Sequence, residues 1–331
     1  MDQGQDQARQ ARVGNWAAAT IGDALMPTIS VIINHTAGTS AAVETDAFAA
    51  RLRAAGYEPT ITIARDGSEI LAAAKRAHSE NVDVVVAGGG DGTINCVAAQ
   101  IAGTDTALGV LPLGTLNHFA KDLGIPLDVE LAMQTILDGR PIAVDVGEVN
   151  GKLFLNNSSI GIYPDMVKER EAGQHRLGKS KWEAFFWACL KVARRYPFID
   201  VQLKVDGDTL ARHTPFVFVG NNAYTIDGFD LGGRKTLTGG RLSVYVSQRT
   251  GRMGLLGFAV RALFGRLRQA DDFDAMLTEQ VDIQTRRKSV RVSTDGEVTT
   301  LDLPLRYRIR PGALRVIVPA SVDAPTSADP A

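Results

Sequence analysis

An α/β domain built on a mostly parallel sheet, followed by a β-rich domain read as a sandwich, is the architecture this 331-residue sequence predicts. Three observations lead there. The first half alternates short apolar runs with helix-patterned segments, as parallel βα units do. One of those runs, Val82–Ala87, stops at three consecutive glycines and resumes with helical spacing at Ile94, Val97, Ala98 and Ile101. From about Pro141 closely spaced strand runs dominate, several of them alternating apolar and polar residues as half-buried antiparallel strands do. Length alone suggests about two domains, at roughly 150 residues each.

Taken in order, residues 1–25 read as a flexible polar leader without the apolar core of a secretory signal. Thr28–Asn34 is a buried strand that ends in the polar turn Asn34-His35-Thr36-Ala37-Gly38. Phe48–Ala55 carries a helical pattern stopped by Gly56, and Thr60–Ala64 is a second strand. Ser68–His78 is Ala-rich and helical, with Ser68 as its N-cap. The glycine stretch and its helix follow, then a strand at Ala107–Leu111 and a helix over His118–Leu123. These elements form an α/β domain over 26–145.

The β-rich domain is read over 146–320. Its strand runs are Phe154–Ser158, Val201–Val205, Phe216–Val219, Leu242–Val246, Val281–Ile283, Val290–Ser293, Leu305–Ile309 and Leu314–Val318. Helical insertions interrupt it at about 180–195 and 252–269, and 321–331 reads as a disordered tail.

Composition narrows the classes of function. A net charge of −1 provides no global field toward nucleic acid or membrane, so no nucleic-acid partner is expected. Cys96 and Cys189 form no metal-like or disulfide-like pattern, which fits a reducing cytoplasm. No run of 18 uncharged apolar residues occurs, so an integral membrane protein is not expected. Residues 249–270 are a local exception, with Arg249, Arg252, Arg261, Arg266 and Arg268, no acid, and interleaved Phe258, Leu263 and Phe264. Such a segment can lie peripherally on anionic lipid, or pack on the sandwich with a solvated Arg face. The sequence carries no signal of oligomeric state.

Strand, glycine loop and helix together make an anion site. Glycines let backbone approach a phosphate, and the N–H groups at the helix start point at it. Asp91 inside the loop points to a metal–nucleotide complex, because a bare carboxylate repels phosphate. No Gly-Lys-Ser/Thr closes the loop, so it is not a P-loop, and Thr93 stands where a dinucleotide fingerprint needs its third glycine. Gly92-Thr93-Ile94-Asn95 recurs as Gly114-Thr115-Leu116-Asn117, again after an apolar strand. Purely local readings exist for each feature: a tight glycine turn, Thr93 and Thr115 as helix caps, and Asp295-Gly296 as a hairpin turn.

Gly-Gly-Asp-Gly-Thr-x-Asn at 89–95 together with Leu-Pro-Leu-Gly-Thr-x-Asn-x-Phe-Ala at 111–120 resembles the diacylglycerol-kinase catalytic family, which includes bacterial lipid kinases and sphingosine kinases. Asn34–Gly38 is similar to that family's first nucleotide loop, and Phe154–Gly161 to the segment where its second domain begins. Asp295-Gly296-Glu297 stands where the family carries a C-terminal acidic motif, so the resemblance spans about 28–318.

The resemblance implies a phosphofructokinase- and NAD kinase-like α/β domain followed by a β-sandwich. It also implies ATP- and Mg²⁺-dependent phosphorylation of a hydroxyl of diacylglycerol or a related lipid at a membrane surface. On that reading Asn34, Gly89, Gly90, Gly92, Thr93, Gly114 and Thr115 hold the nucleotide's phosphates. Asp91 stands by the Mg²⁺–phosphate cluster and Asn117 orders the second loop. A carboxylate must take the hydroxyl proton; Asp295 is the expected base, with Glu297 supporting it or orienting a metal. An NAD kinase-like enzyme, or a nucleotide- and lipid-binding sensor without turnover, are the alternatives. Departures from the family pattern are His35 for a proline, Leu116 for a glycine and His118 for an aspartate. Gly239 stands where many relatives hold a metal-binding Asp, which puts a structural Mg²⁺ site there in doubt.

Overall fold

The computed structural model describes residues 26–40, 43–161, 198–227, 230–234, 236–247 and 273–321. The expected leader, tail, helical insertions and basic segment 249–270 lie outside the described residues. The rest divides into two compact units, one running to Ile142 and resuming at Arg315, the other Ala143–Leu314. Each is described by itself.

The first unit holds β1 (Thr28–Asn34), β2 (Glu58–Ala64), β3 (Val84–Gly89) and β4 (Ala107–Pro112), in the order β2-β1-β3-β4 and all parallel. Arg315 and Val316, near the end of the chain's last strand (Leu305–Val318), pair in parallel with Ala107 and Leu108 of β4. Val31, Ile32, Val85, Val86 and Leu108 are fully buried, as expected for parallel strands covered on both faces. β2 lies at the edge, alternates in exposure, and leaves Ile63 53% exposed.

Five helices connect these strands: α1 (Thr45–Ala54), α2 (Gly67–Ser79), α3 (Asp91–Ile101), α4 (His118–Asp122) and α5 (Val129–Asp138). α2 and α3 carry crossovers in the same direction and pack against each other. α1 and α5 are joined by Arg51, which donates to Glu130 and Gln134. The expected N-cap Ser68 is corrected to Asp66. The Asp66 carboxylate accepts from the backbone N–H of Ser68 and Glu69 and from the Ser68 hydroxyl. Those bonds, the hydroxyl's first, hold the Asp66 carboxyl below its usual range. A charged acceptor two residues earlier outcompetes the serine for the free helix N–H groups.

The second unit begins within β5 (Arg140–Val149) and continues through β6 (Lys152–Phe154), β7 (Asn157–Gly161), β8 (Ile199–Val205), β9 (Asp208–Thr214) and β10 (Phe216–Asn221). β11 (Tyr224–Asp227), β12 (Asp230–Arg234), β13 (Leu242–Ser247), β14 (Phe273–Thr278), β15 (Gln280–Thr285), β16 (Ser289–Thr294), β17 (Glu297–Asp302) and β18, the last strand named above, complete it. One antiparallel sheet runs β14-β13-β10-β7-β16-β17. A second contains β18-β15-β8-β9, with β5 on β18 and β6 on β5, while β11 and β12 form a separate hairpin. Ile160, Val217, Val244 and Val292 from the first sheet share one core with Leu203, Ile283 and Leu305 from the second. This is a β-sandwich. Phe154 and Tyr307 meet edge-to-face inside it at 6.2 Å.

One expected strand is two. Phe154–Ser158 breaks at Leu155 and Asn156, so that β6 and β7 belong to different sheets. The backbone N–H groups at the break turn away from any ladder and onto the Asp295 carboxylate. α5 and β5 had not been foreseen, although a signal existed: Asp128, whose carboxylate accepts from Leu131 N, precedes the apolar run of α5.

Candidate active site

In the first unit the chain leaves β1 toward β2 on one side, and β3 lies on the other. The carboxyl ends of β1 and β3 therefore form a topological switch point, where open α/β sheets bind ligands. Asn34 ends β1 there, and Gly89 ends β3. The Asn34 Nδ2 donates to Thr93 Oγ1 at 3.1 Å, while its Oδ1 accepts from the Thr36 N–H and hydroxyl. The first loop is thus tied to α3 and folded on itself by one side chain.

The glycines explain themselves by what a side chain would meet. A Cβ at Gly89 would lie 2.4 Å from Thr93 Oγ1, and one at Gly114 would lie 2.5 Å from Gly90 Cα. The two glycine loops pack backbone to backbone. Asn117, in the left-handed conformation at φ 50°, holds the second loop. Its Oδ1 accepts from Gly114 N, and its Nδ2 donates to Pro112 O and Gly114 O. Thr39 reaches the same loop through Leu113 O at 3.3 Å.

Neither threonine is a helix cap. Gly90 is the N-cap of α3 and Thr93 lies within it, while Asn117 is the N-cap residue of α4 and Thr115 is exposed at the loop tip; Gly92 is exposed in the first turn of α3. No side chain caps α3, so its first N–H groups are open to an anion. Asp91 bridges the loops instead: its two carboxylate oxygens accept from His118 N at 3.2 Å and Phe119 N at 3.1 Å, capping α4. Thr93→Val removes the Asn34 tether and is expected to cost about 1 kcal/mol. Urea unfolding reads this, and an unmoved midpoint would mean that the bond tethers nothing.

These residues fit a nucleotide's phosphates: an uncapped helix start and two loops whose glycines pack backbone to backbone. Mg²⁺ carried by a nucleotide usually takes only one or two protein carboxylates. Asp91 can serve, since a carboxylate oxygen accepts more than one contact. Among the described residues no group of three or more His, Cys, Asp or Glu converges as a metal cage. At Gly239, a Cβ would lie 2.9 Å from Asn222 Oδ1, which already accepts from Gly239 N. The neighbouring Gly240 N and the Gly312 N both donate to the buried Asp145 carboxylate. That loop is closed by its own N–H groups, which donate to the Asn222 amide oxygen and the Asp145 carboxylate.

In the second unit, Asp295 and Gly296 form the two-residue turn between β16 and β17, with φ of 48° and 87°. Both left-handed values fit the hairpin turn whose twist matches the strands, and Asp-Gly suits it. The Asp295 carboxylate accepts three consecutive backbone N–H groups, from Leu155 at 2.7 Å, Asn156 at 2.8 Å and Asn157 at 3.0 Å. Although the turn itself reaches the surface, the carboxyl is enclosed. Burial pushes its pKa up to about 6, against the opposing pull of the three N–H groups and of Arg234. Glu297 is 61% exposed and pairs with Lys152 at 3.7 Å. Arg234, Asn221 and Tyr224, which brace the segment bound by Asp295, were not singled out from sequence. Arg234 follows two glycines in a stretch with no periodic pattern, so nothing in the sequence marks it as buried.

Residues 28–149 match the family model described as a diacylglycerol kinase catalytic domain. Residues 160–318 match that described as a YegS C-terminal NAD kinase beta sandwich-like domain. Curated proteins named diacylglycerol kinase from Staphylococcus aureus, strains JH9 and Newman, are each 30% identical over 172 residues, 51% of this chain and 54% of theirs. The match thus spans about half the length of these relatives. Among solved structures, a chain from Bacillus anthracis str. Sterne aligns with a TM-score of 0.67 at 23% identity, over 91% of this chain and 100% of that one. The crystal structure of a diacylglycerol kinase from the same organism aligns at 0.64 and 21%, over 90% and 98%. At such identities the structural likeness speaks for the fold: an α/β domain followed by a β-sandwich.

Proposed function

Because residues 28–149 belong to the diacylglycerol kinase catalytic domain family and residues 160–318 to the YegS C-terminal domain family, we propose that this chain is an ATP-dependent lipid kinase. It transfers the γ-phosphate to a hydroxyl of diacylglycerol or a related lipid. The observation that carries this reading is Asp295, a carboxylate gripped by three backbone N–H groups yet raised to a pKa of about 6. A base with that pKa is mostly ionised at neutral pH and strong enough to take a proton as a hydroxyl attacks phosphorus.

The chain's own part in the reaction is positioning. The open start of α3 and the Gly89–Gly90 and Gly114 backbones receive the phosphates, while Asn34 and Asn117 keep their loops from moving. Asp295 accepts the acceptor hydroxyl's proton as its oxygen bonds to the γ-phosphorus and the bond to the β-phosphate oxygen breaks, releasing ADP. Asp91 would hold a Mg²⁺ ion carried by the nucleotide, and that ion, when bound, would neutralise charge on the phosphates. Glu297, on the same hairpin, supports the base through its ion pair with Lys152.

The acceptor lipid has to be met at a membrane surface. No helix among the described residues is long and apolar enough to cross one. The acid-free, Arg- and Phe-bearing segment 249–270, outside those residues, has the composition for peripheral contact with anionic headgroups.

The test is transfer of labelled γ-phosphate from ATP with Mg²⁺ to diacylglycerol, a sphingoid base, a monoacylglycerol and an isoprenoid alcohol in mixed micelles. NAD is included as an acceptor because the second domain model is NAD kinase-like in description. Labelled phospholipid is the expected product. Labelled NADP would replace this reading with the NAD kinase one, and no product on any acceptor would sink it.

A further inference from the structure

Leu155–Asn157 forms a backbone arch with two opposite sides. Its N–H groups all point at Asp295. The carbonyls of Leu155 and Asn156 face a second set of donors, while Asn157 O accepts from Asp295 N at 2.9 Å. Leu155 O accepts from Arg234 Nη1 at 2.6 Å and from Asn221 Nδ2 at 2.8 Å. Asn156 O accepts from the Tyr224 hydroxyl and from Asn221 N, both at 2.9 Å. The Asn156 side chain is held too, its Oδ1 accepting from Arg234 Nη2 at 2.7 Å.

The peptide unit joining Leu155 to Asn156 therefore has a guanidinium at its carbonyl end and a carboxylate at its N–H end. Its dipole is aligned between the two charges. Arg234 is only 8% exposed, and its guanidinium lies 5.3 Å from the Tyr224 ring centroid. Burying an arginine is costly unless its donors are met, and here the arch supplies two acceptors and Asn221 O, at 3.3 Å from Nη1, a third.

We propose that Arg234 is a positioning residue for phosphoryl transfer, fixing the Leu155–Asn157 arch in the one conformation that aims three N–H groups at Asp295 and so sets both the place and the basicity of that carboxylate. The proposal rests on reading Asp295 as the base. The other charged groups on the strands around the turn include the Lys152–Glu297 pair on β6 and β17, Arg291 on β16, Asp302 at the end of β17, and Arg140, Asp145 and Glu148 on β5; Asp145 is engaged by Gly240 N and Gly312 N, and Glu148 pairs with Arg308 and Arg310.

The experiment compares wild type, Arg234→Gln and Arg234→Lys in the mixed-micelle assay across pH 5–8, alongside a ¹³C carboxyl titration of Asp295 assigned by difference with Asp295→Asn. Arg234→Gln is expected to lower kcat at least tenfold, leave KM for ATP within twofold, and move the acid limb of activity upward by about one pH unit as the favourable charge is lost. Arg234→Lys restores the position of the limb while kcat stays reduced, because an ammonium lacks the fork that spans Leu155 O and Asn156 Oδ1. A folded Arg234→Gln with the wild-type pH profile and carboxyl titration overturns the proposal. If Arg234→Gln does not fold, Arg234→Lys decides: reduced kcat at unchanged KM supports it, and wild-type kcat overturns it. Should wild type phosphorylate no lipid while the titration still shifts in Arg234→Gln, the kinase reading fails and the coupling of Arg234 to Asp295 stands.

Discussion

On the proposed function, Asp295→Asn is expected to lower kcat for lipid phosphorylation by about 10³-fold at pH 7 and to leave ATP affinity unchanged, within the usual range for removing a general base. The substitution nearly preserves shape. Of the three N–H groups that the carboxylate accepts, two converge on Oδ1 and one on Oδ2, so an amide can keep the Oδ1 pair but turns its own NH₂ against Leu155 N. The hairpin survives and the base is lost. The pH profile separates this from mere damage. Only ionised Asp295 can accept a proton, so wild-type kcat is flat above about 6 and falls as pH drops through that value. The residual rate of the variant lacks that limb. A variant that retains wild-type kcat would remove Asp295 from the chemistry.

The same residue affects stability with the opposite sign. Its folded pKa of about 6 lies above that of an unfolded aspartate, so folding takes up a proton between roughly pH 4 and 6. Its contribution is fully present below about pH 4 and is lost as pH rises through 6, a swing on the order of 3 kcal/mol. Activity is gained over the window in which this contribution is lost.

Gly114→Ala is expected to weaken ATP binding more than tenfold and to destabilise the first unit by about 1–3 kcal/mol. The new methyl would meet Gly90 Cα at 2.5 Å, Asn117 Oδ1 at 2.9 Å and Gly90 N at 3.3 Å. Two of those three atoms are backbone, and the third belongs to the side chain that holds the loop closed. No flexible side-chain end can yield, so the loops must part, and the phosphate donors part with them. Calorimetric titration with ATP and a thermal melt read the two effects. Gly67→Ala is the matched control, since a Cβ there meets nothing within 4 Å and the residue opens a helix. Wild-type ATP affinity in Gly114→Ala would show that the closeness of the loops is irrelevant to the nucleotide.

Legibility followed physical locality. β1 was readable to the residue because a continuous β-branched run bounded by polar turns has one good conformation. The Asp295-Gly296 hairpin was equally plain, since its turn chemistry lies in two adjacent residues. Ser68 was mistaken for the cap because a hydroxyl at a helix start is a good signal until a carboxylate stands two residues earlier. The Gly-Thr-x-Asn echo looked like duplicated geometry, yet one copy is helical and the other a loop locked by its asparagine. The division of Phe154–Ser158 was hidden because its cause, Asp295, lies about 140 residues later. Arg234 was hidden for the same reason: its partners at Leu155, Asn156 and Asn221 lie far from it in sequence or are backbone carbonyls, which leave no trace in side-chain composition.

The last strand carries a consequence for how this molecule can be divided. Arg315 and Val316 complete the edge of β4, after a stretch of 172 residues, Ala143–Leu314, assigned to the other unit. No single cut of the chain releases the first unit whole. A fragment ending at Ile142 leaves β4 with an open row of backbone donors and acceptors, the kind of edge that recruits a foreign strand. Synthesis has the same order built in: the first unit stays one strand short until Ala143–Leu314 has been made.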